Sequence, residues 1–183
     1  MTPNQSKVTI HMVSSLDGFI AKKDGDISWM NTTDRYENGV TLTQEYIDEF
    51  LKSIDCYVMG SKTYEHALEL GWVYGDVPVF VLSSRNLSSE RTTVQFYSGD
   101  LSKLVNEQLK LQYKNIWMVG GSVLTKELLK LNLADEIVTT IVPVLLGEGS
   151  LFFDFIGKEL PLLLKDSKAY KNGMVELTYA VKK

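Results

Sequence analysis

Short apolar runs rich in β-branched residues recur along the chain and predict eight β-strands. They cover residues 8–13, 56–60, 77–83, 93–97, 116–120, 136–144, 162–170 and 174–181. Between the earlier runs, apolar residues are spaced three or four apart, as on one face of an amphipathic helix. These helical stripes are Ile47, Phe50, Leu51 and Ile54; Tyr64, Ala67 and Leu68; Leu101, Leu104 and Val105; and Leu124, Leu128 and Leu131.

The order of these elements indicates the fold class. Strands and helices alternate up to residue 136, which is typical of a mostly parallel sheet covered by helices. The last strands follow one another directly, and Asn172 and Gly173 tolerate the positive φ of a tight two-residue turn. The sequence therefore predicts an α/β fold with about eight strands, about four helices and an antiparallel C-terminal hairpin at the sheet edge. Because no repeat, low-complexity tract or linker interrupts it, residues 1–183 are predicted to form one domain.

Two adjacent glycines after the strand at 116–120 mark a first candidate site. In open parallel α/β sheets, ligands bind beyond the carboxyl ends of the strands. Gly120 and Gly121 let an anion approach the backbone, and Ser122 is predicted to be the N-cap of the following helix. Free amides and the helix dipole at that point favour a phosphate. A tight strand-to-helix turn explains the glycines equally well, so the motif alone leaves both interpretations open.

Three other stretches follow strands at the same predicted edge. Residues 60–63 repeat the order glycine, hydroxyl residue and helix start, with a lysine among them. Residues 83–85 offer two hydroxyls and an arginine, whose fork of donors suits phosphate. Residues 14–30 form a long loop with several turn signals and Trp29, which indicates a lid over the site. Core packing explains Trp29 equally well.

Composition narrows the function classes. The net charge of −4 argues against a nucleic-acid or membrane surface, since both require clustered lysine and arginine. The first residues lack the features of a signal peptide, and no apolar run reaches the roughly 18 residues of a membrane helix. We therefore expect a soluble cytoplasmic protein. Cys56 is the single cysteine, which excludes an internal disulfide and a multi-cysteine zinc site.

The two histidines are weak catalytic candidates. His11 lies inside the first predicted strand and His66 inside a predicted helix, so a structural or surface role is favoured for both. Because neither has a partner at metal-ligand spacing, no metal site is predicted.

Taken together and in order, these stretches resemble the dihydrofolate reductase superfamily. The motifs that carry the resemblance are DGFIAKKDGDISW, VMGSKTYE, VLSSR, IWMVGGSVL and ADEIVTTIVPVLLGEGSLFF, within residues 8–153. SLDGFIA and PVLLGEGSLFF are closest to the reductase domain of the bifunctional riboflavin-biosynthesis deaminase-reductase and to its small stand-alone relatives. The resemblance implies a dihydrofolate-reductase-like fold and an oxidoreductase that uses NADPH. The H-x-E and P-C-x-x-C signatures of a zinc deaminase are absent from the sequence, so the reductase half alone is implied.

The resemblance also implies a set of NADPH-binding residues. In it, residues 20–21 line the nicotinamide, residues 60–63 reach the adenosine side and its phosphates, residues 83–85 receive the 2′-phosphate, and residues 120–124 cradle the pyrophosphate. The full set is Ile20, Ala21, Gly60, Ser61, Lys62, Thr63, Ser83, Ser84, Arg85, Val119, Gly120, Gly121, Ser122, Val123 and Leu124.

Few catalytic side chains are expected, because hydride transfer is the chemistry of the cofactor itself. The resemblance implies that Trp29 closes over the reacting ring. A proton donor is needed where an imine or carbonyl is reduced, and folate reductases take a carboxylate from the helix after the loop. Here that helix offers Glu45 and Asp48, and Asp17 is a further candidate. Solvation explains the first two acids, and turn formation explains Asp17, equally well.

The sequence thus predicts reduction of a small heterocyclic or carbonyl substrate, with the 5-amino-6-(5-phosphoribosylamino)uracil reductase type as lead. Dihydrofolate or pteridine reduction is an alternative, and a non-catalytic NADPH-binding sensor is an alternative of another class. A phosphoribosyl substrate calls for several basic side chains, yet residues 29–50 contain only Arg35. Homodimers are common in this branch of the superfamily. Residues 138–147 are apolar enough for such an interface and equally suit an interior strand.

Overall fold

An eight-stranded sheet organises the computed structural model, which describes residues 6–32 and 35–182. The strands of this sheet are β1 (Lys7–Ser15), β3 (Cys56–Gly60), β4 (Val79–Leu82), β5 (Val94–Tyr97), β6 (Asn115–Gly120), β7 (Glu136–Val142), β9 (Leu162–Ala169) and β10 (Val175–Val181). Two short strands, β2 (Phe19–Ala21) and β8 (Ser150–Leu151), form a separate ribbon. The order across the sheet is β5-β4-β3-β6-β1-β7-β10-β9.

The helices are α1 (Gln44–Lys52), α2 (Ser61–Leu70) and α5 (Ser122–Lys130), together with a composite segment. That segment runs from α3 (Leu101–Lys103) through a π-helical stretch (Leu104–Leu109) to α4 (Lys110–Gln112). A single 3-10 turn covers Ser28–Met30. Among the described residues, no helix is long and apolar enough to cross a membrane.

The predicted fold class is confirmed. Six strands, from β5 to β7, run parallel to their neighbours, and β10 pairs antiparallel with both β7 and β9. All eight predicted strands are present, with ends shifted by two residues at most. The β2–β8 ribbon was not predicted, because each of its strands is only two or three residues long.

Alternation along the central strands builds two cores, one on each face of the sheet. Ile10, Val58 and Met118 point to the face covered by the composite helix and α5. Tyr57 and Trp117 point to the other face, where α2 packs. Because side chains alternate along a strand, neighbouring residues serve opposite cores, and the sheet is held from both sides.

Helix α1 covers the same face as α2 but makes a looser contact. None of its residues is buried, although its predicted apolar stripe does turn inward. Phe50 reaches the sheet, with its ring centroid 5.3 Å from the rings of both His11 and Trp117. The space on either side of that contact belongs to a cavity, and α1 forms one of its walls.

β7 lies between β1 and β10 and is therefore an interior strand. Ile137, Val138 and Val142 are buried on it. Residues 138–147 were considered either as a dimer interface or as an interior strand. The part of this stretch that lies in β7 is an interior strand.

The β2–β8 ribbon fixes the chain directly after β1. Phe19 pairs with Leu151 and Ala21 with Ser150, and the amide of Phe152 donates to the carbonyl of Gly18 at 2.8 Å. Gly149 has a φ of +148°, and a Cβ placed on it would overlap the carbonyl oxygen of Ala21. The ribbon can therefore close only because this residue has no side chain.

Gly149→Ala should destabilise the protein more than Gly147→Ala. Gly147 also has a positive φ, +75°, but open space around it, so alanine there costs about 1–2 kcal/mol of backbone strain alone. At Gly149 the overlap with Ala21 should add roughly 1–3 kcal/mol. Thermal melting of both variants measures the difference. Equal melting temperatures would show that the ribbon tolerates the extra atom.

Candidate active site

A cavity of about 1490 Å³ opens along the carboxyl edge of the sheet and continues beneath α1. Its walls come from β1, β2, α1, β7 and β10 and from the first turns of α2 and α5. The position agrees with the general rule that ligands of open α/β sheets bind beyond the strand ends.

Two helix starts open into this cavity without side-chain caps. α2 follows β3 through Gly60 and α5 follows β6 through Gly121, and neither glycine has a side chain to satisfy the first amides. The prediction of Ser122 as N-cap is wrong by one residue, because Ser122 is already helical and Gly121 is the cap. By contrast, Thr43 caps α1 and Asp100 caps α3. The uncapped amides are donors that an anion could satisfy.

The two uncapped starts lie side by side. A Cβ built on Gly121 would stand 3.7 Å from the Thr63 hydroxyl, so the first turn of α2 faces the glycine before α5. Lys62 adds a positive charge to the same wall. The motifs at 60–63 and 119–124 are thus brought together, as one anion-binding surface requires.

Most of the predicted cofactor-binding residues line the cavity. The lining members are Ile20, Ala21, Gly60, Ser61, Lys62, Thr63, Val119, Gly121, Ser122, Val123 and Leu124. Gly120 is buried instead, with φ +119°, and a Cβ on it would stand 2.9 Å from the sulfur of Met12. Its positive φ favours glycine at this position, and its place is in the packing beside Met12.

The stretch Ser83–Ser84–Arg85 lies just past the cavity wall, which ends at Leu82. Arg85 is directed back toward α2, where its Nη2 contacts Oε1 of Glu65 at 2.8 Å. This guanidinium holds the pKa of the Glu65 carboxyl below its ordinary value. Arg85 is half-exposed, so its remaining donors stay open to solvent at the rim.

The structure does not bring the predicted catalytic acids of α1 into the cavity. Glu45 and Asp48 are exposed, and the Asp48 carboxylate accepts a hydrogen bond from Gln44 at 2.8 Å. Trp29 also stays outside the lining, whereas its neighbours Ile27 and Met30 contribute to it. Their catalytic roles remain predictions without support from position.

Asp17 has a structural use. Its carboxylate accepts hydrogen bonds from the Ser15 hydroxyl at 2.6 Å and from the amides of Leu146 and Gly147 at 3.1 and 2.7 Å. The Ser15 hydroxyl bond, followed by the amides, holds the pKa of Asp17 below its ordinary value. Asp17 thereby ties the turn after β1 to the loop before β8.

Both histidines line the cavity, and the structural or surface role expected for them stays a prediction. Burial lowers the pKa of His11 to about 4, so its imidazole is neutral at pH 7. It stacks on Trp117, with ring centroids 5.1 Å apart. Among the described residues, Nδ1 of His11 and Nε2 of His66 are buried without a hydrogen-bond partner.

Sheet register places a polar row on the cavity side that sequence reasoning missed. Val13 of β1 is paired with Thr140 of β7, Thr140 with Glu176 of β10, and Glu176 with Lys168 of β9. Thr140, Glu176 and Lys168 all line the cavity, as does Tyr170 just beyond β9. In the sequence, Glu176 alternates with apolar neighbours, which indicates a strand with one polar and one apolar face. Only the pairing of the strands shows which face lines the cavity.

Comparison with known proteins gives a consistent picture. The sequence model of the family described as the RibD C-terminal domain matches residues 6–176. The Bacillus subtilis protein YwjB, whose function is uncharacterized, is 30% identical over 96% of this chain and 98% of its own length.

Solved structures show the same fold. A Shewanella sp. PV-4 protein assigned by name to riboflavin biosynthesis superimposes with a TM-score of 0.82 at 27% identity, covering 97% of this chain and 99% of that one. The Thermotoga maritima diaminohydroxyphosphoribosylaminopyrimidine deaminase/5-amino-6-(5-phosphoribosylamino)uracil reductase gives a TM-score of 0.69 at 14% identity. It covers 99% of this chain but 58% of that longer chain. At that identity, the likeness concerns the fold.

Asp17→Asn should lower the melting temperature at pH 7, because the loop amides lose a charged acceptor. The folded-state pKa of Asp17 lies below the unfolded one, so its contribution is present above about pH 4 and is lost as the pH falls through the folded value. The difference in melting temperature between the variant and the parent should therefore shrink as the pH is lowered from 7 into the acid range.

Asp76→Asn is the matched control, because Asp76 is an exposed carboxylate in another loop. It should melt like the parent at every pH. A constant gap between Asp17→Asn and the parent across the whole pH range would contradict the proposed anchoring role.

Proposed function

Because the chain belongs to the RibD C-terminal domain family, we propose that it is an NADPH-dependent reductase of a small heterocyclic or carbonyl substrate. The family and the structural relatives support a riboflavin-pathway type of oxidoreductase. The nicotinamide cofactor, the hydride transfer and an aminopyrimidine as lead substrate class are our proposal.

The observation that carries it is the pair of uncapped helix starts at one cavity wall. Amides at the starts of α2 and α5 lack side-chain acceptors, and Thr63 stands next to Gly121. A dinucleotide has two linked phosphates, which suits two adjacent helix starts. The proximity of the two uncapped starts therefore supports a pyrophosphate-binding role for this wall.

The positive charges at the rim of the cavity favour NADPH over NADH, because NADPH has an additional 2′-phosphate. Lys62 lines the cavity, and Arg85 lies beyond the end of β4 with part of its guanidinium exposed. An arginine fork binds phosphate oxygens in pairs. We assign Arg85 to the 2′-phosphate, with Glu65 orienting the guanidinium.

The middle of the cavity is suited to the reacting ring. Ile20, Ala21 and Val119 provide apolar walls there, and the β2–β8 ribbon fixes the first two. A bound nicotinamide would supply the hydride, and these residues would hold its ring and exclude water. Exclusion of water would also strengthen hydrogen bonds to the substrate that accepts the hydride.

A cytoplasmic location and a homodimer also remain predictions. The structure offers one surface for the latter at the free edge of the sheet, where Leu162, Leu163 and Leu164 of β9 are 38, 50 and 53% exposed.

Two measurements test the function. Calorimetry with NADPH should show saturable binding, and the absorbance of the reduced nicotinamide should fall when an acceptor from a panel of aminopyrimidines, pterins and folates is added. Failure to bind NADPH would refute the proposal. Tight binding without oxidation by any panel member would favour a cofactor sensor.

Arg85→Gln should weaken NADPH binding by about tenfold while leaving NADH binding nearly unchanged. A charge-assisted hydrogen bond at a half-exposed site contributes roughly 1.5 kcal/mol, and only NADPH has the 2′-phosphate. Titration of each variant with both dinucleotides measures the ratio.

Arg91→Gln is the control, since Arg91 stacks over Trp72 at 4.7 Å and does not line the cavity. An equal loss for NADPH and NADH in Arg85→Gln would show that Arg85 acts through general structure.

A further inference from the structure

The polar row lies in the half of the cavity that the cofactor contacts leave free. β10 is separated from β6, whose end leads to Gly121, by β1 and β7. Three strand spacings amount to about 14 Å. Glu176 is thus on the far side of the nicotinamide walls from the helix starts, where the acceptor substrate would bind.

Glu176 is a carboxylate with too few donors for its surroundings. Its side chain is 14% exposed, and its hydrogen bond from the Thr140 hydroxyl is long, at 3.4 Å. His11 Nε2 stands 4.0 Å from Oε2, but the low pKa of His11 makes this a contact with a neutral ring. A half-buried carboxylate of this kind gains from N–H donors brought by a ligand.

A second polar atom of the wall is also unsatisfied. Tyr170 is 3% exposed, and its hydroxyl lies near the Tyr46 hydroxyl and the Glu176 carboxylate without a well-formed hydrogen bond to either. Burial, followed by the charge of Glu176, raises the pKa of this phenol, so it stays protonated. The wall therefore offers an anionic acceptor and a neutral hydroxyl close together.

The same wall lacks the charges that a phosphate requires. Among the described residues that line the cavity, the lysine and arginine side chains are Lys62 and Lys168. Lys62 belongs to the start of α2. Lys168 is held by the Tyr46 hydroxyl at 3.1 Å and by Asp166 at 3.3 Å. With Asp166 and Glu176 near this one cation, the acceptor half would repel a phosphate dianion.

We propose that Glu176 determines substrate specificity and selects an unphosphorylated planar compound with adjacent N–H donors, such as a ring amide beside an amino group. This inference rests on the proposed function, because it assigns the acceptor half of the same site. The proposed substrate therefore differs from that of any reductase that acts on a phosphoribosyl compound.

Calorimetry on the full chain saturated with NADPH tests the proposal with three probes. These are 5,6-diaminouracil, its 1,3-dimethyl derivative, in which the ring N–H donors are blocked, and 5-amino-6-(5-phosphoribosylamino)uracil. The parent should bind the first best. Glu176→Gln should lose about 10- to 100-fold for 5,6-diaminouracil, the range for hydrogen bonds to a charged group, and little for the dimethyl compound.

Three controls separate the possible failures. Glu107→Gln makes the same chemical change on the exposed surface of the π-helical stretch and should bind every probe like the parent. Glu176→Asp keeps the charge and should recover part of the affinity. Unchanged NADPH affinity in Glu176→Gln shows that the variant is folded.

The proposal is overturned if the phosphoribosyl compound binds more tightly than the free ring, if none of the probes binds, or if Glu176→Gln behaves like Glu107→Gln. In those cases the proposed function stands as long as NADPH binds and is oxidised by some acceptor of the panel. If the parent does not bind NADPH at all, the proposed function fails first and this inference with it.

Discussion

The site depends on backbone amides that the fold leaves without partners. A helix that follows a parallel strand must begin at the carboxyl edge of the sheet, and its first N–H groups point outward there. In α2 and α5 the residue at the cap is glycine, so the chain supplies no acceptor of its own. The donors are therefore available to a ligand, and the Thr63 hydroxyl lies beside Gly121, so that the two helix starts are neighbours.

The cavity exists because α1 is only partly packed on the sheet. Phe50 contacts His11 and Trp117, and Tyr46 contacts Lys168, but no residue of the helix is buried. A tighter helix would bury more apolar surface but would close the cavity. Stability is instead concentrated in the central strands and in the opposite core, where Ile10 and Met118 are almost fully inaccessible.

Sequence periodicity was sufficient to predict the eight strands of the main sheet and the helices, but insufficient to predict the site. Residues 56–60 were predicted to the residue, because a run of buried side chains between a charged residue and a glycine has few alternatives. The short β2 and β8 were missed, since their pairing spans some 130 positions and leaves no local periodicity. Glu45 and Asp48 were chosen by their place on α1, but the helix turns its apolar side inward. Glu176 was missed because its neighbours across the sheet come from distant stretches of sequence.

The division of the sheet into parallel and antiparallel parts has a consequence for divergence among relatives. The turns that we propose bind the phosphates belong to the first two thirds of the chain, whereas Glu176 and Lys168 belong to the last two strands. Since side chains on paired strands can be exchanged without altering the backbone ladder, mutation in the closing hairpin would change the proposed substrate site while leaving the proposed phosphate-binding turns unaltered. On this scaffold, a few substitutions in the closing hairpin would thus be enough for a new specificity to evolve.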